Sequence, residues 1–288
     1  MTTYPYLGAG VGLRRDHYSA LAATERRLDW LEFISENYMF HGGRHRQVLL
    51  EARDRWPLIP HGVSLDIGGQ GEPNPEYLDD LARLAADLDA PFVSDHLCLS
   101  RVGGTYTHEL IPLPFRAEVV EIVARRAKAI EERVGRPLLL ENATYYVEMP
   151  GGQMDEAEFL CRIVEESGCG LLLDVNNAYV NSVNHGYDPR AFLERLPLDR
   201  VGYVHLAGHR IETRALIDDH GSAVPEPVWD LYRFLLERTG PISTLVEWDA
   251  NLPELDRLLE EADRARSILA EFGAPALPTP AAKKGARL

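Results

Sequence analysis

Carboxylates and imidazoles recur in one setting along this sequence, at the ends of short apolar runs. IPHGVSLDIG carries His61 and Asp66, and PFVSDHLCLS carries Asp95 and His96. LLLENATYY reaches Glu141 and Asn142, and LLLDVNNAY reaches Asp174, Asn176 and Asn177. VGYVHLAGH carries His205 and His209, LIDDHG holds Asp218, Asp219 and His220, and STLVEWD ends in Glu247 and Asp249. One such Asp or Glu is ordinarily a helix cap or a solvated group. Recurrence over six successive runs is different. Carboxylates buried side by side cost several kcal/mol each unless paired or metal-bound. No matching set of Lys or Arg stands at these positions, so divalent metal is the simplest source of compensating charge. Imidazole with carboxylate suits Zn, Fe or Mn, and the lack of thiolate there argues against a structural zinc site. About nine ligand-type groups exceed the needs of one ion and fit two or three, with carboxylates bridging them.

The individual residues differ in what they offer. Asp174 and Asn177, three apart, form a two-point grip on one ion. Asp218 and His220 chelate from one loop, with His209 and Asp219 as alternatives to their neighbours. Asp66, Asp95 and Asp249 read as partners that orient imidazoles. Glu36 and Asn37, ending FISENYM, face the same place and read as substrate-facing. Cys98 shares a strand face with His96 and reads as core packing. His41, His45 and His108 lack this context and read as loop or solvated residues, and His17 as a surface residue.

Positioning these groups needs eight strands. The apolar runs are 6–13, 28–36, 60–66, 91–99, 137–142, 170–176, 200–206 and 242–248, continuous rather than alternating, as in parallel strands covered on both faces. Helical periodicity predicts helices over 75–88, 114–134, 155–166, 189–196, 225–238 and 255–272, several opening on a favoured proline. That grammar predicts an α/β protein, a single (β/α)8 TIM barrel, whose active site lies at the C-terminal strand ends. The run Gly8-Ala9-Gly10-Val11-Gly12 is glycine-rich without a complete GxGxxG, so a doubly wound nucleotide fold is disfavoured; it reads as a closely packed strand. The expected division is a barrel over 1–272 and a flexible tail over 273–288. With 288 residues, 45% hydrophobic and 26% charged, the chain buries a sizeable core without disulfides, and its three scattered cysteines suit a reducing cytosol. A net charge of −15 argues against a nucleic-acid-binding protein. No transmembrane run or signal peptide is read, so a cytoplasmic location away from membranes is expected.

Seven ordered segments, FISENYM, HGVSLDIGG, SDHLC, ENATYY, LLDVNNAYVN, VHLAGH and VEWD, closely resemble the multinuclear non-heme iron-dependent oxidase family over roughly residues 5–270. The resemblance implies a TIM barrel related to xylose isomerase and endonuclease IV. It implies two or three iron ions, with Zn or Mn as substitutes in recombinant protein. It further implies dioxygen-dependent modification of cysteine in a ribosomally made precursor peptide, as in methanobactin biosynthesis, and a small partner protein that presents the peptide. By residue, it implies His61, His96, Glu141, Asp174, Asn177, His205, Asp218, His220 and Glu247 as metal ligands, Asp219 remaining the alternative to Asp218. The related endonuclease pattern has His where this chain has Asn177, a weaker neutral ligand. The competing readings are a zinc phosphodiesterase or endonuclease, a metal-dependent sugar isomerase, and a binding module without catalysis.

Overall fold

The computed structural model describes residues 4–39 and 42–277. Eight parallel strands close into a barrel: β1 Ala9–Gly12, β2 Trp30–Ile34, β3 Leu58–Gly62, β4 Val93–His96, β5 Leu138–Glu141, β6 Gly170–Asp174, β7 Val201–Leu206 and β8 Ser243–Val246. Each pairs with its neighbours in sequence, and β8 closes on β1 through Ala9–Thr244 and Val11–Val246. This is the expected single (β/α)8 barrel.

The helices are α1 Tyr18–Ala23, α2 Glu36–Met39, α3 Arg44–Arg53, α4 Pro75–Leu88, α5 Ala117–Val134, α6 Glu156–Ser167, α7 Val175–His185, α8 Pro189–Arg195, α9 Glu226–Thr239 and α10 Leu255–Glu271. α4 shows why the periodicity was legible. Asn74 accepts from the backbone N–H of Glu76 at 3.0 Å, Pro75 supplies the first-turn φ, and Leu78, Leu81, Leu84 and Leu88 bury one face. The outer faces of the strands pack on these helices in one continuous apolar layer.

Side chains pointing into the barrel form its floor: Trp30, Ile59, Phe92, Leu139, Leu172, Tyr203 and Leu245. Gly10 makes room for the Trp30 indole, which any Cβ at that position would strike. The glycine-rich run is thus the closely packed strand expected from its sequence.

Several local expectations are corrected. β3 begins at Leu58 and ends at Gly62, so Ser64–Asp66 belong to the loop beyond it. Asn176 and Asn177 lie in the first turn of α7. An antiparallel hairpin, Leu99–Val102 with Thr105–Ile111, rises after β4 where the sequence offered only a loop. A second short pair, Arg210–Ile211 with Leu216–Ile217, follows β7. Of the expected tail, residues 273–277 are described, with Leu277 against Gly8. The remainder, and His41, lie outside the described residues. Among the described residues no helix is long and apolar enough to cross a membrane.

Candidate metal centre

Inward side chains alternate along a strand, so the residue two beyond each floor residue points into the barrel one step higher. Those residues are Glu32, His61, Ser94, Glu141, Asp174, His205 and Glu247. All are buried, Asp174 and His205 at 0% exposure. The strand period thus converts an apolar floor into a polar layer within two residues. His96, two beyond Ser94, and the loop residue His220 sit above it, and with His61, Glu141 and Glu247 they line a cavity of about 750 Å³ at the C-terminal mouth.

The polar layer resolves into three groups that share members. His61, His96 and Glu141 form one, with Nε2 of each imidazole 3.3 and 3.4 Å from Glu141 Oε2. Glu141, Asp174, His205 and Glu247 form the next, with His205 Nδ1 3.3 Å from Glu141 Oε1 and 3.0 Å from Glu247 Oε2. His220, Glu247 and Asp249 form the third. His220 Nε2 also lies 2.7 Å from Asp218 Oδ1 and 3.6 Å from Asp174 Oδ2. Glu141 and Glu247 each belong to two groups, the arrangement of bridging carboxylates.

Hydrogen bonds behind these groups decide which atoms face inward. His96 Nδ1 donates to the Gly62 carbonyl at 3.0 Å, leaving Nε2 as a bare acceptor. His205 Nε2 donates to Glu32 Oε2 at 3.1 Å, leaving Nδ1 inward. The Tyr203 hydroxyl donates to the same Glu32 oxygen at 2.5 Å. Ser94 Oγ bonds His61 Nδ1 at 2.9 Å and Tyr203 at 2.6 Å. Asp174 caps α7, its Oδ1 accepting from the Asn177 N–H at 2.7 Å, while Oδ2 stays free. Asn177 donates its side-chain N–H to the Asn142 carbonyl at 3.0 Å, which turns its Oδ1 away from that bond.

Glu141 Oε2, Asp174 Oδ2 and Asn177 Oδ1 are buried without a hydrogen-bond partner, and the inward nitrogens His205 Nδ1 and His220 Nε2 face only carboxylate oxygens. Buried polar atoms are rarely left unpaired, and this cluster, all of metal-ligating atom types, fits a set of divalent cations.

The electrostatics agree. Burial, reinforced by Glu141 and Asp218, drives the Asp174 carboxyl well above its ordinary pKa against the pull of His220. Burial also raises Glu32. Burial would depress His205, but Glu32, Glu247 and Glu141 outweigh it and hold the ring protonated well above the usual range. His220 is raised for the same reason, chiefly by Asp218. Protons thus do part of the charge compensation that bound cations would do. His61 is pushed the other way, by burial and by its neighbours His96 and His205.

All nine residues singled out as ligands therefore lie at this mouth. Seven of them make the imidazole–carboxylate contacts above, Asp218 joins through His220, and Asn177 lines the cavity beside them. Between the loop alternatives, Asp218 faces His220, whereas Asp219 bonds Arg210 and the Gly221 N–H, each at 3.2 Å. His209 turns to Asn176 at 2.7 Å. Cys98 is buried, and its thiol is pushed well above the ordinary range by burial.

Other expectations need correction. Asp66 and Asp95 do not orient imidazoles. Asp66 accepts from the Ser100 N–H at 2.8 Å and anchors the hairpin, and Asp95 accepts from the Leu65 and His96 N–H groups at 3.1 and 2.7 Å. His17 is buried, its Nε2 donating to the Pro253 carbonyl at 2.8 Å, because the loop before α10 covers it. His108 is exposed, as expected, but sits on the hairpin rather than in a loop, with a left-handed φ of 58°, and lines the mouth cavity. No matching set of Lys or Arg stands among these residues, but one cation reaches the rim from β1. Arg14 lies over Gly12 and pairs with Glu247 at 3.3 Å and with Asp249. Sequence reasoning missed Arg14 because it follows β1 without a motif. Glu32 was missed although WLEFI holds a signal, one acid in an otherwise apolar strand, two residues from Trp30.

Comparisons with known proteins bear on the family and the fold. The family profile for "RiPP precursor modification enzyme MbnB/TglH/ChrH" matches residues 8–270. A UPF0276 protein of Anaeromyxobacter sp. (strain Fw109-5) is 46% identical over 262 residues, covering 91% of this chain and 93% of that protein. A UPF0276 protein of Caulobacter vibrioides is 43% identical over 268 residues, covering 93% and 96%. Among solved structures, a D-psicose 3-epimerase superposes with a TM-score of 0.58 at 11% identity, covering 91% of this chain and 97% of its own. Endonuclease IV from Thermus thermophilus gives 0.57 at 20% identity, covering 93% and 98%. At these identities the structural likeness speaks for the barrel fold alone.

Proposed function

The chain belongs to the MbnB/TglH/ChrH family of RiPP precursor modification enzymes, and from that premise we propose that it is a multinuclear non-heme iron enzyme that uses dioxygen to modify cysteine in a ribosomally made precursor peptide. The observation that carries the metal part is the cluster of buried ligand atoms without partners at the mouth. In this reading His61, His96 and Glu141 would hold one ion, Glu141, Asp174, His205 and Glu247 a second, and His220, Glu247 and Asp249 a third, with Asp218 and Asn177 as further ligands on the same cavity wall. Iron bound there supplies a Lewis acid for a thiolate and a redox partner for dioxygen.

The protein's own residues do the rest. Glu32 and the Gly62 carbonyl fix the tautomers of His205 and His96, so the basic nitrogens face inward without rearrangement. Arg14 stands over Glu247 and Asp249 and balances part of the acidic charge at the rim. The apolar floor keeps water from entering below. The mouth admits a flexible peptide segment, and a small partner protein that presents the peptide would supply sequence selectivity that the open cavity lacks. The acidic chain disfavours a phosphodiester backbone at long range, within the screening length of about 8 Å at physiological salt.

The test is anaerobic loading with Fe(II), metal analysis, then dioxygen with a cysteine-bearing precursor encoded nearby and its partner protein. The expected result is two or three irons per chain and a mass change confined to the cysteine residue. An unmodified peptide alongside efficient cleavage of abasic DNA would instead favour the endonuclease reading.

A further inference from the structure

A buried carboxylate without a cation partner lies apart from the mouth. Glu156, at the start of α6, is 7% exposed. It lines a second cavity of about 630 Å³, whose walls include Phe115, Tyr145, Met149, Met154 and Phe192. The donors on its carboxyl are neutral. Tyr187 O–H reaches Oε2 at 3.2 Å, Asn181 Nδ2 reaches Oε1 at 3.5 Å, and the Tyr145 hydroxyl adds a third. The arginine in this cavity, Arg195, is held by both oxygens of Asp155 at 2.8 Å. Burial, with no compensating cation, raises the Glu156 carboxyl to about 8.

The two cavities share a wall. Tyr145 lines the second cavity, and the next residue, Tyr146, lines the metal-facing one. Between them the loop turns apolar surface outward, with Tyr146 49% and Val147 68% exposed. A segment lying across this loop would reach both cavities.

We propose that the second cavity binds a basic side chain, lysine or arginine, of the same peptide whose cysteine enters the barrel mouth, with Glu156 as its counter-ion; this rests on the peptide-modifying reading above. Largely apolar walls around one buried carboxylate, with exposed Glu148, Asp155 and Asp188 nearer solvent, suit an alkyl stem carrying a cationic head. Aromatic rings around the stem add cation–π attraction. A bare metal ion is the poorer occupant, since one carboxylate surrounded by hydroxyl and amide donors leaves it short of ligands. Arrival of the cation ionises Glu156 and expels its proton. The other titratable groups facing it are accounted for. Asp155 is held low by Arg195, and Tyr145 and Tyr187 are raised beyond their ordinary range, chiefly by burial. His185 turns its Nε2 to the Tyr145 carbonyl at 2.9 Å. Glu148 and Asp188 stand on the cavity lining.

The experiment is calorimetric titration of the full-length, metal-free chain with acetyl-arginine-N-methylamide and acetyl-lysine-N-methylamide at pH 7, in buffers of different ionisation enthalpy. Binding with release of close to one proton is expected. Glu156→Gln should weaken it about tenfold or more and abolish the proton release. Ala191→Trp, which fills the cavity from exposed α8 and leaves Glu156 intact, should weaken it equally. No binding, or binding indifferent to both substitutions, overturns the proposal. A second arm titrates capped Cys-(Gly)n-Arg peptides into anaerobic Fe(II)-loaded protein. At one spacer length the affinity should exceed that of the capped arginine about tenfold or more; no gain at any length overturns the assignment to a peptide. The first arm needs neither metal nor turnover, so its failure is distinct from a failure of the oxidase reading.

Discussion

Glu32 offers the sharpest test of how the metal centre is held. It touches no proposed metal position directly; its Oε2 accepts from His205 Nε2 at 3.1 Å, and Glu32 and His205 are 3% and 0% exposed. With metal on Nδ1, the bond is that of a neutral imidazole N–H to a buried carboxylate, worth about 1.5–3 kcal/mol. Glu32→Ala removes the acceptor and leaves the N–H and the Tyr203 hydroxyl unpaired in a dry site. The expected cost to the ion shared by Glu141, Asp174, His205 and Glu247 is therefore about 10- to 100-fold in affinity. Glu32→Gln keeps an acceptor oxygen and should lose about tenfold or less. The assay is competition with a chelator of known affinity, using Mn(II) or Fe(II) under anaerobic conditions, with circular dichroism to show that both variants fold. Equal metal affinity in wild type, Glu32→Gln and Glu32→Ala would refute the claim that Glu32 sets the working tautomer of His205.

Other expectations follow from the same geometry. Glu141→Ala should lose metal from two positions together, because both imidazole groups meet at its carboxylate, while Cys98→Ser keeps its full metal content; elemental analysis of the two variants decides it. Divalent metal should bind more weakly as pH falls through the neutral range, since His205 and His220 hold protons above the ordinary histidine range and must release them; a pH-independent affinity would contradict this. Glu156→Gln should stabilise the protein progressively as pH rises. The folded carboxyl, at about 8, binds its proton more tightly than the unfolded one. Wild-type stability therefore declines from the ordinary carboxylate range up to pH 8, by about 1.4 kcal/mol per pH unit, and the glutamine variant escapes that decline. Urea unfolding at pH 5 and pH 8 measures it, and a constant difference between the two proteins would disprove it.

The barrel was legible in the sequence because its rules are local. Continuous apolar runs mark strands covered on both faces, and leucines at helical spacing behind a proline set α4 to the residue. The residues gathered at the mouth were legible too, because a TIM barrel places its active site at the C-terminal strand ends and these were the positions rich in His, Asp and Glu. Which atoms face one another was not. That depends on strand parity and barrel closure, which bring Glu32 of β2 against His205 of β7 across 173 positions of chain. The same closure carries Arg14 from the end of β1 to Glu247 at the end of β8. Asp174 illustrates the division within one residue. Its sequence position marks it as a helix cap or a ligand; the fold commits one oxygen to the cap and leaves the other buried and free. The hairpin after β4 and the cavity at Glu156 were likewise decided by tertiary packing, since neither a two-stranded ribbon on a loop nor a hollow between α6, α7 and α8 has a periodicity of its own.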